Sequence, residues 1–189
     1  MDRVSFILDQ CRGKILDVGF VACSLHQQLL KRFDRQDVFG LDIEPVPDHP
    51  NYKKGSAEKI EFESGFFDTV VAGELIEHLP NPEKFVSEAS RVLKTGGQLL
   101  LTTPNRNSLV NRFTKNYQTK IHLSLFSKKE LTSLLEKNGF EVKRFFCLPY
   151  TPESSPGSSQ KWFYPIREAL HFVLPQSLQE EMVVFALKK

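Results

Sequence analysis

The 189 residues carry 25 Lys and Arg against 23 Asp and Glu, a net charge of +2, with 40% hydrophobic and 25% charged residues. That is the balance of an ordinary globular domain, here read as one domain over 1–189. A net charge this small does not by itself imply a nucleic-acid or membrane-surface partner, and no apolar run approaches the roughly 18 residues that span a bilayer.

Cys11, Cys23 and Cys147 are odd in number and lack metal-ligand spacing. With no signal-peptide pattern at the N-terminus, they predict a reduced, cytoplasmic setting rather than a disulfide scaffold.

Residues 4–10 form a short amphipathic stretch, read as a helix closed by Gly13. Residues 14–18 read as the first strand. In 25–33, Leu25, Leu29, Leu30 and Phe33 share one face at helical spacing. Residues 38–42 read as the second strand, after which Pro45, Pro47 and Pro50 enforce an irregular link. Residues 67–72, FDTVVA, are a near-continuous apolar run, the pattern of a strand covered on both faces. Residues 81–93 read as a helix with Pro82 in its first turn, 95–97 as a turn, and 98–102 as another buried strand. Residues 128–138 read as a helix stopped by Gly139. The last two strands are 140–148 and 182–187, separated by the Ser/Pro/Gly-rich 151–160 and a helix near 166–174.

Strands alternating with helices predict an α/β fold: a doubly wound, mostly parallel seven-stranded sheet with the last strand antiparallel and helices on both faces. In such a sheet the ligand sits at the carboxyl ends of the strands, near the reversal of strand order. The segments 17–24, 42–44, 72–78 and 103–105 therefore hold the candidate site. Gly19 allows a tight turn beside a ligand, and the helix that follows offers free N–H groups. Asp42, about two dozen residues after Asp17, can accept two hydrogen bonds from a ribose diol. The plainer alternative is that Asp17 caps a turn and Asp42 merely ends a strand.

Residues 67–105 read FDTVVAGELIEHLPNPEKFVSEASRVLKTGGQLLLTTPN. The order FD-x-V, E-x-x-E-H-L, R-V-L-K-x-G-G and T-x-P-N strongly resembles the S-adenosylmethionine-dependent methyltransferases with a Rossmann-like fold. Their ubiquinone-biosynthesis O-methyltransferase-like group is the nearest in pattern. The resemblance extends over about residues 13–146, including HLSLFSKKELTSLLEKNGFEV from His122 onward.

It implies S-adenosylmethionine as cofactor and a small-molecule methyl acceptor. Asp17, Gly19 and Phe20 would form the cofactor loop, and Asp42 with Ile43 would flank the ribose. Ser56 and Ala57 would lie near the adenine, with Ser56 where an acid is usual. Gly73 and Glu74 would line the methionine side. His78 is the first candidate for a general base and Glu77 the second.

Glu74, Glu77 and His78 share a face if that segment is helical. With His122 they resemble the metal site of small-RNA 3′-terminal 2′-O-methyltransferases, although a metal-free site is the preferred reading.

Two features depart from that pattern. Val21 and Cys23 stand where the family's loop carries glycines, and side chains there block a ligand or widen the loop. This leaves open a catalytically inactive methyltransferase-like binding or scaffold domain. An NAD-dependent dehydrogenase is disfavoured, because a pyrophosphate needs those glycines. Cys23 is read as a loop filler rather than a reactive thiol.

Between Glu88 and Glu130 there is no acid, while Arg91, Lys94, Arg106, Arg112, Lys115, Lys120, Lys128 and Lys129 are basic. A positively charged lid over 106–120, within a substrate-side loop 106–122, would favour an anionic acceptor; a solvated basic loop is the alternative. Residues 149–165 would form a second substrate-side loop, in which Trp162, Phe163 and Tyr164 either line a substrate pocket or anchor the loop to the body.

Overall fold

The computed structural model describes residues 3–21, 23–114, 122–149 and 164–189. The chain runs α1 (Arg3–Gln10), β1 (Ile15–Val18), α2 (Ser24–Arg32), β2 (Val38–Asp42), β3 (Tyr52–Lys54), β4 (Phe67–Gly73), α3 (Pro82–Val92) and β5 (Leu93–Pro104). It continues through α4 (Leu109–Thr114), α5 (Lys128–Lys137), β6 (Phe140–Leu148), α6 (Tyr164–Val173) and β7 (Glu181–Lys188).

The seven strands form one sheet in the order β3-β2-β1-β4-β5-β7-β6. The pairs among β1 to β5 are parallel, and β7 is antiparallel to both β5 and β6. The antiparallel strand lies one place in from the edge, so β6, not β7, ends the sheet. Strand order reverses between β1 and β4, which puts the crevice of a doubly wound sheet at the carboxyl ends of those strands.

Alternate residues of each central strand point to opposite faces and meet different helices. Leu16, Val70, Ala72, Leu99 and Leu101 join Phe85, Val86, Ala89 and Val92 of α3 and Leu131 and Leu135 of α5 in one core. Ile15, Val71 and Leu100 join Phe6, Ile7 and Leu8 of α1 and Leu25 and Leu29 of α2 in the other. Burial on both faces is why these strands read as unbroken apolar runs. Each fully buried Phe or Leu contributes about 1.5–3 kcal/mol of transfer free energy.

Helix starts follow local chemistry. The Asn81 side chain accepts the Lys84 N–H ahead of Pro82. Ser127 and Glu130 form a reciprocal capping box on α5, which satisfies two otherwise orphaned N–H donors.

Two local differences from the sequence reading have physical causes. The strand β3 is only Tyr52-Lys53-Lys54, parallel to β2 alone; so short and polar an edge strand carries no hydrophobic period. Residues 95–97 are not a turn ahead of a strand but a bulge within β5. Register moves from Phe67↔Leu93 to Thr69↔Gln98, and Gly96 takes up the left-handed kink at φ +72°. Among the described residues no helix is long and apolar enough to cross a membrane.

Candidate functional site

The carboxyl ends of β1, β2 and β4 lie side by side, with Asp17 opposite Gly40 and Val71 in register. This gathers Asp17, Gly19, Asp42, Gly73 and Glu74 at one rim of the sheet. Gly19 turns the chain at φ +80° and donates its N–H to the Leu41 carbonyl at 2.8 Å. A side chain there would be strained, and its Cβ would sit 3.0 Å from Leu75.

Asp42, 8% exposed, is fixed through both carboxylate oxygens. Oδ2 accepts the N–H of Val21 at 2.8 Å and Oδ1 that of Glu44 at 3.0 Å. Its backbone carbonyl accepts the Gly55 N–H at 2.8 Å, which draws the end of β3 and Ser56 to the same rim. On either side of Asp42 stand exposed apolar residues, Ile43 at 70% and Val21 at 44%. Ser56 is exposed and accepts the Glu58 N–H at 3.1 Å, while Ala57 is buried.

Asp17 and Phe20 point into the protein rather than out of it. Asp17 is 2% exposed and its Oδ2 lies 3.1 Å from Nδ1 of His26. Burial pushes its carboxyl above the usual range, against the pull of His26. Phe20, 5% exposed, packs on His26. Cys23 is half-buried, and burial raises its thiol; a thiol held protonated this way is no nucleophile.

After β4 the chain does not enter an α-helix. Glu74 adopts φ +50°, a strained conformation for a side-chain-bearing residue, and its N–H meets the Thr102 carbonyl at 3.0 Å. A short 3₁₀ turn, Ile76–His78, follows. The kink sends Glu74 and Glu77 in different directions.

Glu74 lies 3.8 Å from the Arg3 guanidinium, which also holds Glu181 at 2.5 Å. Glu181 is buried, and burial and then Glu74 raise its carboxyl well above the normal range, against the pull of Arg3.

Glu77 is fully buried: Oε2 accepts the Thr103 hydroxyl at 2.9 Å and Oε1 lies 3.8 Å from Nε2 of His78. Burial first, and Glu74 second, push the Glu77 carboxyl up to about 8. The Glu77 carbonyl accepts the N–H groups of Leu123 and Ser124 at 2.8 and 3.0 Å. That pins the segment carrying His122, whose ring centroid lies 5.0 Å from that of His78.

Glu77, His78 and His122 each offer a ligand atom, all within 4.8 Å of one another. Glu74 stands outside this group. Oε1 of Glu77 and Nδ1 of His122 are buried without a hydrogen-bond partner among the described residues. Burial, and then His78, lower the His122 imidazole.

The basic span is less free than its sequence suggests. Arg91 is bound by Glu88 and the Ile60 and Phe62 carbonyls. Lys94 pairs with Asp68 near the amino end of β4, away from the rim, and Arg106 pairs with Glu130. The acids that bound the span are thus partners of the bases within it. Arg112 is exposed on α4; Lys115, Lys120, Trp162 and Phe163 lie outside the described residues.

Sequence reasoning missed Arg3, His26, Tyr52 and Glu181. For Glu181 a signal existed. An antiparallel strand begins where its parallel neighbours end, so the residue opening β7 reaches the ligand rim. For His26 the signal was an imidazole between Leu25 and Leu29 on the buried face of α2.

The methyltransferase domain family matches residues 2–144. The ubiquinone biosynthesis O-methyltransferase of Dechloromonas aromatica is 33% identical over 120 residues, 57% of this chain and 51% of that protein. An S-adenosylmethionine-dependent methyltransferase structure from Archaeoglobus fulgidus superposes with TM-score 0.68 at 20% identity, covering 98% of this chain and 90% of that one. Phosphoethanolamine N-methyltransferase 2 of Haemonchus contortus, solved with S-adenosyl-L-methionine, gives TM-score 0.67 at 18% identity, covering 98% of this chain and 52% of that one. The chain spans about a third to two thirds of the length of curated relatives it matches. By sequence match and strand order together, the chain belongs to the methyltransferase domain family, the S-adenosylmethionine-dependent methyltransferases with a Rossmann-like fold.

Proposed function

We propose that this domain binds S-adenosylmethionine at the carboxyl ends of β1, β2 and β4 and transfers its methyl group to an oxygen or nitrogen of a small acceptor. The observation that carries this reading is Asp42. Its carboxylate is aimed at the rim by two backbone N–H bonds, yet each oxygen keeps a lone pair for a ribose hydroxyl. Exposed Ile43 beside it offers an apolar surface for the adenine. Arg3 and Glu74, opposite charges 3.8 Å apart, suit the carboxylate and ammonium of the cofactor's amino-acid end. This cofactor has no pyrophosphate, so it needs less close backbone approach from the loop than a dinucleotide does.

The bound cofactor supplies an electrophilic methyl on a sulfonium. The chain's own work is to hold the acceptor in line with it and to take the acceptor's proton. His78, half-buried at the mouth, is the base. Glu77 lies behind it, 3.8 Å from Nε2, and is the second candidate for that role. Exposed Arg112, just beyond β5, favours an anionic acceptor.

Equilibrium dialysis with S-adenosylhomocysteine tests the reading. Wild-type protein binds, and Asp42→Ala weakens binding at least about tenfold, because hydrogen bonds to a charged group are lost. No binding up to millimolar ligand would favour the inactive scaffold reading. Equal affinity in Asp42→Ala would remove the ribose assignment.

One observation favours a metal as a second reading: the convergence of Glu77, His78 and His122, with two buried ligand atoms lacking hydrogen-bond partners. Two imidazoles and a carboxylate suit Zn²⁺, Mn²⁺ or Fe²⁺, which these three residues would hold as a Lewis acid at the acceptor side. Calorimetric titration with Zn²⁺ and Mn²⁺ tests it; equal heats in wild-type protein and His122→Ala would rule the site out.

A further inference from the structure

In a glycine-rich cofactor loop the backbone alone sets the shape. Here Phe20, Val21 and Cys23 bring side chains into the loop, and each must be accommodated. Phe20 goes inward, 5% exposed. Its ring centroid lies 4.4 Å from that of His26 and 5.0 Å from that of Tyr52. It occupies space that exists only because residue 40 is glycine, since a Cβ there would come within 2.6 Å of the ring.

Beneath Phe20, His26 is held at both nitrogens. Nδ1 lies 3.1 Å from Oδ2 of Asp17 and Nε2 lies 2.9 Å from the Tyr52 hydroxyl. Three polar side chains, from β1, α2 and β3, therefore form one chain under the loop.

The consequence appears one residue later. With Phe20 seated inward, the loop closes through Cys23 N–H on the Phe20 carbonyl at 3.2 Å. Val21 turns its side chain out and its N–H onto Oδ2 of Asp42 at 2.8 Å. Apolar residues at both 17 and 26 would fill the same core without a buried imidazole and carboxylate, which are costly unless fully hydrogen-bonded. A satisfied buried polar chain fixes geometry more than it adds stability.

We propose that the Asp17–His26–Tyr52 chain, with Phe20 seated on it in the space left by Gly40, is a clamp that shapes the cofactor loop and aims the Asp42 carboxylate. Phe20, His26 and Tyr52 are then positioning residues for cofactor binding, doing by side-chain packing what glycines do elsewhere. This rests on the reading of Asp42 as the ribose carboxylate.

The test is calorimetric S-adenosylhomocysteine affinity alongside Tm, for wild-type protein, Asp42→Ala, Tyr52→Phe, Gly40→Ala, Phe20→Ala and the Gly40→Ala/Phe20→Ala double variant. Tyr52→Phe removes a single oxygen and keeps the ring. It weakens binding about fivefold, the worth of one hydrogen bond, and lowers Tm by about a few degrees because Nε2 of His26 loses its partner. Gly40→Ala expels the Phe20 ring and weakens binding about tenfold or more. Once Phe20→Ala has removed that ring, adding Gly40→Ala brings no further loss, a non-additivity that independent structural damage would not give.

Wild-type affinity in both Tyr52→Phe and Gly40→Ala, or an additive double variant, overturns the clamp. If Asp42→Ala still weakens binding in that case, the cofactor reading stands without it. Absence of binding by the wild-type protein overturns both.

Discussion

Val21 donates its backbone N–H to Oδ2 of Asp42 at 2.8 Å, so a residue standing where the family loop has a glycine orients the carboxylate expected to hold the ribose. Its side chain is 44% exposed and points away from that bond. Restoring the glycine keeps the N–H and adds only loop freedom. Val21→Gly therefore changes S-adenosylhomocysteine affinity by no more than about threefold, since glycine raises the entropy to be lost on ordering. A gain of about tenfold or more, measured by calorimetry, would mean that the valine obstructs the ligand.

Glu77 predicts a pH dependence of stability. In the folded protein its carboxyl keeps its proton to about 8, against an ordinary value of 4.5. Folding thus takes up a proton between those values, and stability falls as pH rises through that window, levelling above it. Glu77→Gln keeps the volume and an acceptor for the Thr103 hydroxyl but not the titration. In chelator-treated protein its Tm advantage over wild type grows from pH 6 to pH 9 by about several degrees. A pH-independent difference in Tm would show that Glu77 does not titrate there.

His78 predicts a split between binding and turnover. Once an acceptor is found, His78→Ala lowers kcat by about 10²-fold or more, the range for loss of a general base. S-adenosylhomocysteine affinity stays within about twofold, because the imidazole is assigned to the acceptor side. Steady-state kinetics beside calorimetry check this. Retained kcat would pass the proton to solvent or to another group.

Asn105 predicts a stability cost without a site defect. Its side-chain amide donates to the Ser177 and Gln179 carbonyls at 3.0 and 2.7 Å, and its backbone N–H donates to Glu180 at 2.7 Å. The asparagine of the T-x-P-N motif therefore ties the end of β5 to the turn that feeds β7. Asn105→Ala leaves carbonyls unsatisfied and lowers stability by about 1–3 kcal/mol in urea unfolding. An unchanged midpoint would show that water replaces the amide.

Much of the fold was legible because burial writes itself into sequence. The runs at 67–72 and 98–102 are apolar at every register since Val70 and Val71, or Leu99 and Leu100, enter different cores. The strand Tyr52–Lys54 was illegible because it is short, polar and paired on one side only.

At the rim, the positions of Asp42 and Gly19 were legible because strand ends and turn glycines are local features. The partners of Asp17 and Glu74 were not. His26 and Tyr52, and Arg3 and Glu181, come from α2, β3, α1 and β7, and only the sheet order brings them together. Counting acids along the chain also overstates the free positive charge between Glu88 and Glu130, because it ignores Asp68, which neutralises Lys94 from the neighbouring strand.

The rim between Gly19, Asp42 and Glu74 is the proposed cofactor seat. The most direct test is a crystal structure of the wild-type protein grown with S-adenosylhomocysteine. Density is expected at that rim with the ribose diol within about 2.6–3.2 Å of the Asp42 carboxylate. Its amino-acid end would lie toward Arg3 and Glu74. A saturating soak that leaves the rim empty, or ligand bound with its ribose away from Asp42, would contradict it.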